Sequence, residues 1–265
     1  MRKGVSNFFG YIYDDCEKIY QDIKNAGFDS IMTSSDKNFF NQNGDLDFQA
    51  KMLNKYSLKQ DSMHSAYKTK DLKYFWQLGL KGCLMLRSLK NDVRMAKKYG
   101  YKFLVVHLEG KYSIIGLKRV QSLVKYAEKQ GVVIAIENLS ANREILANCF
   151  ENIKSQNLKF CFDAGHENCF PNQMGVLEEF SDKLVCLHLH SNDGSRDMHT
   201  LNKYGNVNWD RIARVLAGLN NCDEIVLNYE LIMHYRKEQD TAQSVLKECF
   251  EQALELENLI KNYKK

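Results

Sequence analysis

The chain has 265 residues, 44% of them hydrophobic, with 37 Lys+Arg against 33 Asp+Glu for a formal net charge of +4. So small a net charge, on lysines spread along the chain rather than clustered, gives no ground for a nucleic-acid-binding field, and no stretch nears the ~18 consecutive apolar residues of a membrane span. The N-terminus lacks the apolar run of a signal peptide and the eight cysteines form no CxxC pair, so a soluble, cytoplasmic protein with reduced thiols and no membrane partner is expected.

Along the chain, short apolar runs alternate with longer amphipathic stretches. The runs cover residues 4–8, 28–33, 58–64, 102–107, 132–137, 158–163, 184–190 and 224–230. Helical patterns lie between or beyond them at 14–26, 86–99, 114–129, 208–219 and 240–261. Three of these stop at Gly27, Gly100 and Gly131, the residue favoured just past a helix C-terminus. The alternation is weakest around the second run and between residues 36 and 47. Eight strand–helix units in this length predict a parallel sheet closed as a (β/α)8 TIM barrel, one domain over residues 1–265. A dinucleotide-binding alternative would need G-x-G-x-x-G after the first strand, and none is present.

Six successive runs end on a group that can bind a metal or move a proton: His64, His107, Glu137, Asp163, His190 and Glu230. In a barrel those ends converge on one rim, where active sites form. Carboxylates packed there cannot all ionise without compensating positive charge. A divalent metal is the simplest compensation, and His nitrogen with Asp/Glu oxygen suits zinc or manganese better than calcium. His166, three residues after Asp163, and the pair Asp197 and His199 lie just beyond these ends. Residues two apart in extended chain face the same side, so Asp197 and His199 can reach one ion.

A lone His after an apolar strand is more often a satisfied half-buried residue; the convergence of nine groups carries the reading. His188 shares a face with His190 but lies deeper, and is expected to support rather than ligate. Glu109 and Asp193 read as loop or supporting groups. Tyr74, Phe75 and Trp76 in the segment 67–81 could form a lid, but a packing face or dimer contact is preferred.

The segments Phe160-Cys161-Phe162-Asp163-Ala164-Gly165-His166, His190-Ser191-Asn192-Asp193 and Asp197-Met198-His199 resemble the xylose isomerase-like TIM-barrel superfamily, which includes the family 2 AP endonucleases. Ile136-Glu137-Asn138-Leu139 resembles its strand 5 ending. Gly205-Asn206-Val207-Asn208-Trp209 resembles its G-x-G-x-I-D-W motif, with Lys203 in place of the first glycine. The resemblance runs from strand 3 to strand 8. In the sugar isomerase and epimerase branch it implies that Glu137, Asp163, His190 and Glu230 hold one divalent ion. Glu137 and Glu230 would double as the acid/base pair, with His166 and Arg196 on substrate oxygens. That chemistry abstracts a proton from a ketose and passes through a metal-stabilised enediolate.

In the AP endonuclease branch the resemblance implies three zinc ions. His64, His107 and Glu137 would hold one, Glu137, Asp163, His190 and Glu230 the second, and His166, Asp197 and His199 the third. The segments that would touch DNA depart from that pattern. Tyr67 runs into Lys68-Thr69-Lys70 rather than an apolar wedge, and neither Leu108-Glu109-Gly110 nor Leu139-Ser140-Ala141-Asn142-Arg143 is a small-residue phosphate loop. The expected function is therefore a metal-dependent isomerase or epimerase of a sugar, polyol or sugar phosphate. The phosphodiesterase is the alternative, and the only reading with a nucleic-acid partner. A non-catalytic metal-binding barrel is a third reading, opposed by the two glutamates. A lyase or dehydratase using the same chemistry stays open, as does a homo-oligomer.

Overall fold

In the computed structural model, residues 1–7, 13, 15–40, 44–232 and 241–264 are described. The outermost residues of three expected elements, Phe8, Asp14 and Asp240, lie outside them. Eight strands form the sheet: β1 (Lys3–Ser6), β2 (Ser30–Ser34), β3 (Lys59–His64), β4 (Phe103–Val106), β5 (Val133–Glu137), β6 (Leu158–Asp163), β7 (Leu184–His188) and β8 (Leu227–Tyr229). All neighbours are parallel, in the order β7-β6-β5-β4-β3-β2-β1-β8. The ends of that order meet: Leu189 bridges Tyr229, its N–H donates to Asn228 O at 2.8 Å, and Glu230 N–H donates to Leu189 O at 3.0 Å. The sheet is a TIM barrel, as the alternation predicts.

The helices are α1 (Cys16–Ala26), α2 (Leu46–Lys55), α3 (Leu80–Tyr99), α4 (Ile114–Gln130), α5 (Arg143–Asn152), α6 (Ala164–Cys169), α7 (Val176–Glu179), α8 (Trp209–Ala217) and α9 (Ala242–Tyr263). Gly27 ends α1 at φ 108°, where a side chain would be strained and a Cβ would lie 2.8 Å from the Phe250 ring. None of the eight cysteines is disulfide-bonded and six are buried. No described helix is long and apolar enough to cross a membrane.

Strand side chains alternate between two apolar layers. Val106, Ile134, Ile136, Phe160, Phe162 and Leu187 point out into the large core beneath the helices. Val105, Ala135, Cys161 and Cys186 form a separate small cluster. Each of these four stands two residues before a site residue (His107, Glu137, Asp163, His188), so small side chains floor the polar rim.

One expectation needs correction in detail. Helix α3 begins at Leu80 rather than at residue 86, because Gly79 at φ 130° turns the chain and Arg119 gathers the carbonyls of Phe75 (2.6 Å) and Gln77 (2.7 Å) into one cap. Of the aromatics before it, two pack into the core, in line with the preferred packing face rather than a lid. Phe75 and Trp76 are buried, and a Cβ on Gly116 of α4 would sit 2.0 Å from the Trp76 ring.

Candidate metal centre

The rim is built as strand parity dictates. β3, β5, β6 and β7 end on His64, Glu137, Asp163 and His188, while His107 and Glu230 stand one residue past β4 and β8. Asp163 also caps α6, accepting from His166 N–H at 2.6 Å, which sets the His166 ring over the same cavity. Loop residues His190, Asp197 and His199 come in from above. His199 holds φ 49°, an uncommon value without glycine and a sign of constraint at functional sites.

Ligand-capable atoms gather into three groups whose members lie within 4.8 Å of one another: His64–Glu137–His188, Glu137–Asp163–His188–Glu230, and His166–Asp197–His199. His107 joins the first, its Nε2 3.1 Å from both His64 Nε2 and Glu137 Oε2. The centre of the site is His188, whose Nδ1 lies 2.9 Å from Glu230 Oε2 and 3.1 Å from Glu137 Oε2. Neither contact is aligned as a hydrogen bond, although both carboxylates act on the ring electrostatically.

This corrects the expectation for the two histidines after strand 7. His188, not His190, shares the cavity with Glu137 and Glu230. The apolar run reads through to residue 190, but β7 stops at His188, which pairs in register with Asp163. Leu189 then leaves to pair with β8. His190 sits one layer up, its Nε2 3.0 and 3.1 Å from the two Asp163 oxygens and 3.7 Å from Asp197, its ring stacked on His199 at 3.8 Å. Gly165 makes room for it, since a Cβ there would lie 1.9 Å from His190 Cε1.

Hydrogen bonds to backbone carbonyls decide what the rings offer the cavity. Nδ1 of His64 donates to Ser65 O (2.8 Å), that of His166 to Asn138 O (2.8 Å), and that of His199 to Glu230 O (3.1 Å). A carbonyl only accepts, so Nδ1 carries the proton and Nε2 of each neutral ring is a lone pair. Those lone pairs face other acceptors: His166 and His199 meet Asp197 Oδ2 at 3.3 and 3.1 Å, and His64 meets Glu137 Oε2 at 3.4 Å. Acceptor against acceptor is stable only with a second proton on the ring or a cation between.

The protonation balance is consistent with this demand. Burial opposes a charged His166, yet Asp163, Asp197 and Glu137 hold its pKa well above the ordinary value. Burial also opposes charge on His199, and Asp197 and Glu230 raise it to about 9. Burial pushes Glu230 up, but His188 and His199 bring it down to about 2. Glu137 is likewise carried well below the carboxylate range by His188 and His107, against its burial. His107 is lowered, burial being the largest cause. A divalent cation takes the place of these protons without rearranging any donor, so the residues fit one.

The outer braces are amides. Asn138 donates to Asp163 O at 2.9 Å and accepts Asp163 N–H at 2.7 Å. Asn142 donates to Glu137 O at 2.7 Å, and Asn192 to Gly165 O at 2.8 Å. No spacing in the sequence singles out these amides, although Asn138 stands beside Glu137 in the motif quoted above. Tyr67 forms a wall that the local pattern does not mark: its ring packs 3.9 Å from that of His107 while 42% exposed. Glu109 accepts from Ser140 Oγ and from Ala141 N–H at 3.0 Å, and Asp193 from Ser195 N–H at 2.9 Å, so both brace loops. Arg196 lies exposed on the loop after β7, one residue before Asp197.

Comparison with known proteins agrees with this architecture. A protein of Sinorhizobium fredii designated y4fM is 35% identical over 111 residues, 40% of this chain and 35% of that protein. The chain spans about half or less of the curated relatives it matches. Among solved structures, a D-tagatose 3-epimerase-like protein superposes with TM-score 0.77 at 20% identity, covering 97% of this chain and 98% of that one. An L-ribulose 3-epimerase superposes with TM-score 0.77 at 15% identity, covering 98% and 96%. The family described as Xylose isomerase-like TIM barrel matches residues 20–249, and the chain belongs to it.

Proposed function

We propose that the chain is a divalent-metal-dependent isomerase or epimerase acting on a small carbohydrate: a sugar, polyol or sugar phosphate. The observation that carries this reading is the pair of carboxylates, buried Glu137 and half-buried Glu230, that converge on one imidazole nitrogen, Nδ1 of His188, in a cavity whose lone pairs call for a cation. Glu137, Asp163, His188 and Glu230 would hold the ion, zinc or manganese by donor type. When bound, such a cation polarises carbonyl and hydroxyl oxygens and offsets the negative charge that builds as a carbon-bound proton leaves. Glu137 and Glu230, both held ionised at neutral pH, serve as proton acceptors. One removes the proton beside the carbonyl and the other, once protonated, returns one from the opposite face, which inverts that carbon. His166 and Arg196 are proposed to contact substrate oxygens, and Tyr67 to close one wall against water. The 3-epimerase names of the two superposed structures support the same substrate class.

The test is deuterium exchange. Metal-loaded protein incubated with a panel of ketopentoses and ketohexoses in D2O should incorporate deuterium beside the carbonyl and yield the epimer or aldose. Glu137→Gln and Glu230→Gln should each lose turnover while retaining the fold. Full activity in both variants would remove the acid/base assignment.

A second reading rests on a separate observation: the His64–His107–Glu137 and His166–Asp197–His199 groups are also assembled, a donor set for three ions as in an AP endonuclease. Three ions per chain, with incision of an abasic-site duplex that is lost in His199→Ala, would put this phosphodiesterase reading first.

A further inference from the structure

Charge that is dispersed in sequence is concentrated in space. Residues 80–131, which span α3, β4 and α4, hold twelve of the chain's 37 basic residues and three of its 33 acidic ones. The rest of the chain therefore carries 25 basic against 30 acidic residues, an excess of opposite sign. The only acid within α3 is the buried Asp92, and the only one within α4 is Glu128, which is turned toward Ser155. Between the two helices runs a surface groove of about 460 Å³ that is lined by Lys90, Lys118, Lys125 and Lys129 and by no carboxylate. Lys90 is anchored on Ser122 Oγ at 2.8 Å. Among the described residues, no ion pair joins any of the four lysines to an acid.

The same face carries exposed apolar side chains at one end. Leu78 and Leu80 are 85% and 74% exposed on either side of the Gly79 turn, and Leu84, Ile114 and Ile115 are exposed beside them. The two helix starts are fastened together: Ser113, the cap of α4, bonds Trp76 O, and Arg119 reaches the carbonyls of Gln77 and Gly79. The leucines and isoleucines thus project from a rigid corner beside the lysine groove.

We infer that this α3–α4 face docks on an anionic lipid surface. Apolar side chains projecting singly beside a lysine cluster suit the headgroup boundary of a bilayer. An isologous contact with a second copy would set lysine against lysine with no acid to offset them. Lysine is also depleted at protein–protein interfaces, and single-stranded nucleic acid would call for stacked aromatics rather than exposed leucines. Docking of this kind needs no spanning helix.

The test is co-sedimentation of the full chain with vesicles of phosphatidylcholine alone and with about 30% phosphatidylglycerol added. Binding is expected to the anionic vesicles only, and to be lost at ~0.5 M salt. The triple variant Lys118→Glu, Lys125→Glu, Lys129→Glu should bind about 100-fold more weakly, at roughly fivefold per lysine. Leu78→Ser with Leu80→Ser should weaken binding while keeping its salt dependence. All these side chains are exposed, so thermal melting should be unchanged and a loss can be assigned to the surface. No binding by the native chain, equal binding by the triple variant, or tighter binding to an oligonucleotide than to vesicles would each overturn the inference.

Discussion

Replacing His188 tests the centre of the site most directly. Its Nδ1 stands 2.9 and 3.1 Å from carboxylates of half-buried Glu230 and buried Glu137, and among the groups that lower the pKa of each its influence is the largest. His188→Ala removes that partner and leaves two carboxylates in a low-dielectric cavity, a change that costs about 3–5 kcal/mol for a broken buried pair. With an unfolding entropy of about 2.1 cal/mol/K per residue, that lowers the Tm of the metal-free protein by roughly 5–9 °C. The pH response should also reverse. In the native chain, ionised Glu230 contributes stability that is present above its unfolded value of 4.5 and is lost as pH falls toward about 2. Without the imidazole, burial dominates, its pKa rises, and stability falls as pH rises instead. Calorimetry of chelator-treated protein at several pH values reads the stability, and metal analysis of the loaded protein reads the ligand role. His190→Ala, by comparison, should keep the central ion. The reasoning is refuted if His188→Ala binds metal and melts like the native chain while His190→Ala loses the ion.

Three other outcomes follow from the geometry. Chelation at pH 7 should lower Tm by about 7 °C when metal had been present at ~1,000 times its Kd, equivalent to about 4 kcal/mol. The drop should widen toward pH 9, because protonated His199 stabilises the metal-free site below its unfolded value of 6.5 and that contribution fades as pH rises through about 9; a pH-independent drop would contradict this. Gly165→Ala should cost about 1–3 kcal/mol, because its Cβ would meet the His190 ring at 1.9 Å, and denaturant melts measure it. Asp92 is raised to about 7 by burial, with Oδ2 unpartnered. Its ionisation therefore destabilises the fold as pH climbs from 3.8 through 7. Asp92→Asn should gain about 1–2 kcal/mol at pH 8 and nothing below pH 4, read as the difference between two denaturant titrations.

The barrel and most of its rim were legible in the residues alone, because both depend on local patterns. Period-two strands announce themselves within five or six residues, and a strand that delivers its last inward side chain to the rim must place Glu137 or Asp163 there wherever the strand lies in the barrel. The tight turn Asp163-Ala164-Gly165-His166 is equally local, since Asp163 caps the helix that carries His166. What required the tertiary structure was each feature set by a neighbour distant in sequence. Whether His188 or His190 enters the cavity depends on where β7 stops pairing with β6 and turns to β8, and no pattern within the segment states that. Trp76 is core rather than lid because Gly116, forty residues on, leaves space for its ring. The lysines of α3 and α4 alternate with apolar residues in sequence and look dispersed. Only parallel packing of the two helices turns them into one face, since charge adds through space and not along the chain.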